Sequence, residues 1–421
     1  MKPKLLTTLP TYTGRLFAAD LFAGITVAMV AIPLSIAIAI ASGADPAAGL
    51  FTAIVAGFVI SLLGGSRVQI GGPTGAFIVV VYGVIAQHGY DGLVLATLMA
   101  GMILLIAGLL RVGNLITFVP EAVVNGFTIG IAVIIASGQL KDFFGLQAEH
   151  VPAEFIGKIQ ALWAARGTID WATTAAGAST LALLVIMRRL FPRIPGPIFV
   201  LGGVSLVLAL THQSVDTIFS RYGELPNHLP VPALPHITLA RVTELLPSAM
   251  VIAFLAAIES LLSAMVADRM LEGAKHRPNA EVLAQGWASI ASSLFGGLPA
   301  TGAIARTATN VRAGGRTPIA GIVHAATILI VLMVAAPLAG YLAMPALAAL
   351  LIITAWNMSE PHKWPHYWSA PLEDRALLLL TLVLTVLADL TVAIGVGVAL
   401  GLALRLRDSK LKAPEWETPE R

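Results

Sequence analysis

The sequence contains no cysteine, which excludes disulfides, thiolate chemistry and cysteine-ligated zinc. Charge is also scarce. Asp, Glu, Lys and Arg make up 12% of the 421 residues, against roughly 25% in a soluble domain, and this excludes a soluble globule. The net charge is only +3, and the basic residues lie singly or in small groups. There is no contiguous basic face of the kind nucleic acid requires, so nucleic acid is not a partner. Long polar stretches are missing too. At about 20 residues a span, fourteen spans take about 280 residues and leave about 140 for loops and ends, too few for a sizeable soluble domain. Gly64-Gly65-Ser66-Arg67 lacks the Gly-Lys-Ser/Thr ending of a P-loop. His362 and His366 have a metal-like spacing, but Pro361 and Pro365 interrupt the helix it needs. With Trp364 and Trp368 they read as an interfacial belt. No nucleophile, base and orienting group stand out together, so the chain is read as a non-enzyme with no cofactor.

What is present is apolar sequence, 57% of the chain. Residues 16–41 follow Lys2 and Lys4 as a signal peptide would, but the stretch is too long for one and carries Gly24 and Pro33, so it reads as a retained first span. Further apolar segments lie near 46–63, 70–87, 92–110, 120–140, 170–187 and 197–211, with an amphipathic linker at 155–163. A Pro-rich stretch, 212–235, divides the chain where an internal repeat would be joined. The second half supplies segments near 243–266, 280–295, 299–312, 317–338, 343–358, 374–388 and 390–404, with Asp389 at the last turn. With the N-terminus inside, twenty of the 26 Lys and Arg fall in inner loops and ends. The outer side holds Lys141, Lys158, Arg166, Arg221 and Arg241, and Arg306 is left over within a span. This asymmetry supports fourteen spans with both termini cytoplasmic, in a membrane read as a bacterial inner membrane.

Seven spans per half is an odd number, so a second half that repeats the first must be inverted in the membrane. The third segment opens Gly71-Gly72-Pro73-Thr74-Gly75-Ala76, and the tenth opens Gly296-Gly297-Leu298-Pro299-Ala300-Thr301-Gly302-Ala303. These matched, glycine-rich openings predict two half-helices that begin inside the bilayer after short extended stretches. Their free N–H groups and positive dipole ends would face a shared space suited to an anion. Arg306 lies within about two turns of the second start, at a depth where a charge must face a cavity, a partner or a substrate unless it snorkels to the surface. Glu259, with Ser263 one turn on, is the acidic residue deepest in any span. It could carry a proton, ligate sodium with Ser263, or pair with Arg306.

These residues resemble the sulfate permease (SulP) family of anion transporters, whose animal members include the prestin-type exchangers. The resemblance rests on Asp20-Leu21-Phe22-Ala23-Gly24-Ile25-Thr26-Val27-Ala28 with Ile32-Pro33, on Gly72-Pro73-Thr74-Gly75-Ala76, and on Arg306-Thr307-Ala308-Thr309-Asn310 running into Ala313-Gly314-Gly315-Arg316-Thr317. It implies an all-α, uracil-permease-like fold of two inverted seven-span repeats within one transmembrane unit, 1–421. Spans from 16–111 and 242–338 would form a core domain, those from 112–211 and 339–407 a gate domain, and 408–421 a cytoplasmic tail, with the family's STAS domain absent. It also implies an anion held by Thr74, Gly75 and Ala76 on one side and by Thr301, Gly302, Ala303, Ile304, Ala305 and Arg306 on the other. Glu259 and Ser263 match the places where bicarbonate-type members hold an acid and a hydroxyl for sodium. Leu34 stands where sulfate-type members carry glutamine, which weakens the case for sulfate itself. The expected activity is secondary active anion transport by alternating access, with proton symport favoured over sodium symport and a homodimer in the bilayer. A sodium-coupled bicarbonate symporter or an anion exchanger is the alternative within this class, and an uncoupled anion channel or motor, a nucleobase permease and, last, a membrane-embedded enzyme are the rivals.

Overall fold

Apolar runs that meet no water can satisfy their backbone groups within one segment only as helices, and the chain is helical almost throughout. The computed structural model describes residues 2–114, 120–148, 151–152, 154–192, 194–271, 275–388 and, near the end, 392–393, 395–397 and 399–400. We number the helices of the first half α1 (Gly14–Ala41), α2 (Pro46–Leu63), α3 (Ile78–Leu109), α4 (Glu121–Gly138), α5 (Trp171–Leu190) and α6 (Gly196–Leu210). The second half holds α7 (Leu239–Met270), α8 (Pro278–Leu294), α9 (Ile304–Arg312), α10 (Ile319–Gly340), α11 (Met344–Met358) and α12 (Leu372–Leu387). Two short strands, β1 (Gly71–Gly72) and β2 (Thr301–Gly302), form the one named sheet among the described residues. Shorter helices are named by residue.

Seven of the helical stretches are long and apolar enough to cross a bilayer: those built on α1, α2, α3, α4, α5, α7 and α10. This is an integral membrane protein. The segments expected near 70–87 and 92–110 run together as α3, with the break between them at Gly89, whose φ of 71° belongs to the left-handed region that glycine tolerates. The linker at 155–163 is the helix Phe155–Ala164, which buries only Leu162. Asp389 and most of the segment 390–404 lie outside the described residues.

Local chemistry sets several starts. Thr13 accepts the Leu16 N–H ahead of α1, Asp45 accepts the Ala47 N–H with Pro46 in the first turn of α2, and Asp170 and Thr238 cap α5 and α7 in the same way. Small residues then let helices cross closely. A Cβ at Gly24 of α1 would stand 2.5 Å from the Ala320 carbonyl oxygen of α10. A Cβ on Gly101 or Gly286 would stand 2.8 or 2.9 Å from the other's carbonyl oxygen where α3 meets α8. Helices α1, α2, α3, α7, α8 and α10 pack on one another, whereas α4 packs on α11 and α12, and α5 on α6 and α11. Helix α1 also touches α6 and α11.

The Asp20 motif has a structural cause. Asp20 is fully buried. One carboxylate oxygen accepts the Arg316 and Thr317 N–H groups at 2.8 and 3.1 Å, and the other accepts the Thr317 hydroxyl at 2.5 Å and the Tyr12 hydroxyl at 3.2 Å. It therefore satisfies donors just ahead of α10 and ties them to α1. Burial and the neighbouring Asp20 carboxylate push the Tyr12 hydroxyl up to about 12, so Tyr12 keeps its proton and remains a donor at neutral pH. Asp20→Ala strands these donors, and we expect it to cost about 3 kcal/mol. A thermal melt of the detergent-purified variant checks this, and an unchanged midpoint would show that the bonds contribute no stability.

Candidate anion-binding site

The two Gly-Gly/Thr-Gly-Ala segments meet. Gly71 pairs with Gly302 and Gly72 with Thr301 in antiparallel register, and the Ala303 N–H extends the crossing by donating to the Ile70 carbonyl at 2.8 Å. Side chains of α9 then lace the second half-helix to the approach of the first. The Ile70 N–H donates to Thr307 Oγ1 at 3.1 Å, and Asn310 Nδ2 donates to the Val68 carbonyl at 2.8 Å. Thr307 and Asn310 are one turn apart and fully buried, which gives a packing reason for the motif that follows Arg306.

Both half-helices begin uncapped. Residues 75–77 form a tight turn leading into α3, α9 starts at Ile304, and at neither start does a side chain accept a backbone N–H. The first N–H groups of a helix have no carbonyl behind them, so each start offers donors. Thr74 holds the capping position of the first but turns its hydroxyl to Glu259 Oε2, at 3.3 Å. Thr74, Gly75, Ala76 and Ala303 are buried, while Ile304 is half-buried and Ala305 exposed.

Arg306 does not snorkel; it is 2% exposed. Its Nη2 donates to Ser35 Oγ of α1 at 3.2 Å and to the Pro73 carbonyl at 3.1 Å. Its Nη1 lies 2.5 Å from where a Cβ on Gly72 would stand. The guanidinium thus spans from α9 to the first half-helix, and only glycine at 72 leaves room for it. Nε and Nη1 are buried with no hydrogen-bond partner. Among the described residues no ion pair joins Arg306 to any acid. A buried cation with two unused donor nitrogens, beside two uncapped helix starts, suits a small anion.

The other expected residues divide. Ser263 is fully buried and its hydroxyl bonds that of Thr307 at 3.1 Å. Thr301 donates to the Ala256 carbonyl at 2.9 Å. The place of a Cβ on Gly302 is filled by Gln69, whose Nε2 would be 1.7 Å away, whereas a Cβ on Gly75 would meet only the flexible Met358 Sδ, at 2.9 Å, and Ile135 Cδ1, at 3.4 Å. Glycine is needed at 302 by the crossing itself. Sequence reasoning passed over Ser35, Gln69, Ser260 and Glu281, whose partners lie up to 271 residues away. The one signal for Glu281 was Gly64-Gly65-Ser66, a loop with N–H groups that need an acceptor.

The sulfate permease family model matches residues 17–381. A protein of Bacillus subtilis (strain 168) that carries the name of a sulfate transporter, YvdB, is 43% identical over 381 residues, covering 90% of this chain and 72% of its own. The bicarbonate transporter BicA of Picosynechococcus sp. is 31% identical over 386 residues, covering 88% of this chain and 67% of its own. The solved transmembrane domain of a cyanobacterial BicA superposes with a TM-score of 0.82 at 31% identity, over 91% of this chain and 99% of that one. SLC26A9 shares the fold at a TM-score of 0.87 and 17% identity, over 97% of this chain and 68% of that one. With the motif residues assembled at one crossing and the family model spanning most of its length, the chain belongs to the sulfate permease family.

Proposed function

We propose that this chain moves small anions across the membrane by secondary active transport with alternating access. The observation that carries this reading is Arg306, buried with two unused donors beside the paired half-helix starts. The family's members are transporters, and the chain is no enzyme. The antiparallel pairing of β1 with β2 supports two inverted repeats, and the excess of Lys and Arg in the inner loops supports fourteen spans with both termini on the cytoplasmic side. The separate packing of α4, α5, α6, α11 and α12 fits a gate domain, against which a core carrying the site would move. Two copies pair as a homodimer in which each holds its own pathway.

The substrate lies in the bicarbonate, chloride, sulfate and dicarboxylate class, since backbone donors and one Arg recognise charge ahead of shape. Similarity to BicA favours bicarbonate within that class. Counterflow of labelled anions in proteoliposomes tests this, with internal unlabelled bicarbonate expected to drive uptake of its label. Failure of every anion in the panel to exchange would overturn the reading.

The two glycines separate ligand access from packing. Gly75→Val is expected to remain monodisperse in detergent and lose uptake, since Met358 and Ile135 can yield to it while the donors are covered. Gly302→Val collides with the bonded Gln69 and is expected to aggregate or melt early. Size-exclusion chromatography with parallel uptake assays checks both. A monodisperse Gly302→Val protein without uptake would assign that glycine to the ligand as well.

A further inference from the structure

Behind the strand crossing lies a buried polar cluster centred on Glu281 of α8. Its Oε2 accepts the Gly65 and Ser66 N–H groups at 2.8 and 3.1 Å, in the loop between α2 and β1. Its Oε1 accepts the Ser260 hydroxyl of α7 at 3.1 Å and Gln285 Nε2 at 3.0 Å. Ser260 Oγ in turn accepts Nε2 of both Gln69 and Gln285 at 2.8 Å. Glu281, Ser260 and Gln285 are wholly buried, and Gln69 is 4% exposed. The carboxylate is thus held by four neutral donors from three parts of the chain.

One branch of this cluster ends at the site. Gln69 fills the place that a side chain on Gly302 would take, and Gly302 pairs with Gly71. On α7, Ser260 directly follows Glu259, which binds Thr74 at the start of the first half-helix. A carboxylate that served only to fasten α8 to the loop at 65–66 would need neither Ser260 nor Gln69. We infer that Glu281 is a positioning residue for the anion site. Through Ser260 and Gln69 it holds β1 in register with β2, and so aims the half-helix N–H groups and Arg306 at the anion. Burial strengthens these bonds and makes each lost acceptor costly, so a shift of α7 is passed to the crossing and not absorbed.

This inference rests on the anion reading of the site, so Arg306→Ala is measured beside it. In Glu281→Gln an N–H donor faces Ser260 and Gln285 where an acceptor stood. The expected result in proteoliposomes is a KM for the anion about tenfold higher with maximal rate within about twofold of wild type. The exchange Glu281→Gln with Gln285→Glu restores an acceptor for Ser260 and leaves an oxygen for Gly65 and Ser66, so it should recover most of the KM. If Glu281→Gln fails to fold, Ser260→Ala decides: it severs Gln69 from Glu281 while leaving the carboxylate on Gly65, Ser66 and Gln285, and should raise KM in the same direction. An unchanged KM in Ser260→Ala, or a double exchange that restores the melting temperature without restoring KM, would overturn the positioning role. Wild-type uptake in Arg306→Ala would instead overturn the site itself.

Discussion

Arg306→Met is expected to abolish most anion uptake while leaving the melting temperature of the purified protein unchanged or higher. The guanidinium is buried with no acid paired to it, and two of its donors are unused. Such a charge is costly to the empty protein, and replacing it with an apolar side chain of similar length removes that cost. The crossing does not depend on it, because β1–β2 pairing and the Thr307 and Asn310 bonds remain. For the anion the loss is large. Removing one partner of a buried, hydrogen-bonded charge pair costs about 3 kcal/mol or more, which is about 150-fold in affinity. Arg306→Lys keeps the charge but loses the planar fork, and should fall between the two. Uptake kinetics and thermal melts of the same preparations check this. An Arg306→Met protein that melts earlier and transports normally would make the residue a structural one.

The second large effect concerns Glu259. An inward proton gradient of about one pH unit should support about tenfold accumulation of a monovalent anion if one proton accompanies each. Glu259→Gln should abolish that accumulation and spare exchange of anion for anion. The Glu259 side chain reaches the site. It receives the Thr74 hydroxyl, which connects it directly to the first half-helix start. Sodium requires several oxygens, and the one hydroxyl bonded to the Glu259 carboxylate among the described residues is that of Thr74. Liposomes with proton and sodium gradients imposed separately decide the matter. Accumulation that needs sodium and ignores the proton gradient would assign coupling to sodium.

Much of this architecture was legible from composition. A 12% charge content and long apolar runs leave few alternatives to membrane helices, since lipid offers backbone groups no partners. The two half-helix starts were also legible, because Gly-Gly, Pro and Thr-Gly-Ala recur as local strings, and Arg306 stood out as the one cation left inside a span. Spans whose ends are not marked by charge were harder to delimit. The break in α3 at Gly89 falls in the gap left between the segments 70–87 and 92–110, where His88 and Asp91 interrupt the apolar run.

What the sequence by itself determined was therefore what can be read along the chain: membrane insertion, the paired motifs and the isolated charge. The tertiary structure alone decided which polar groups meet. Asp20 finds Thr317, Glu281 finds Gly65, Gln69 finds Ser260, and Arg306 reaches Ser35 and Pro73. Each of these pairs is separated by most of a repeat or more. Their strings show no periodicity that would announce the partner, because a hydrogen bond constrains two positions in space and leaves the intervening sequence free. Ser263 and Gly302 illustrate the same point. The sequence sets Ser263 one turn from Glu259 and Gly302 at the second half-helix start, but the Thr307 hydroxyl that meets the one and the Gln69 side chain that fills the space beside the other come only from the packed helices.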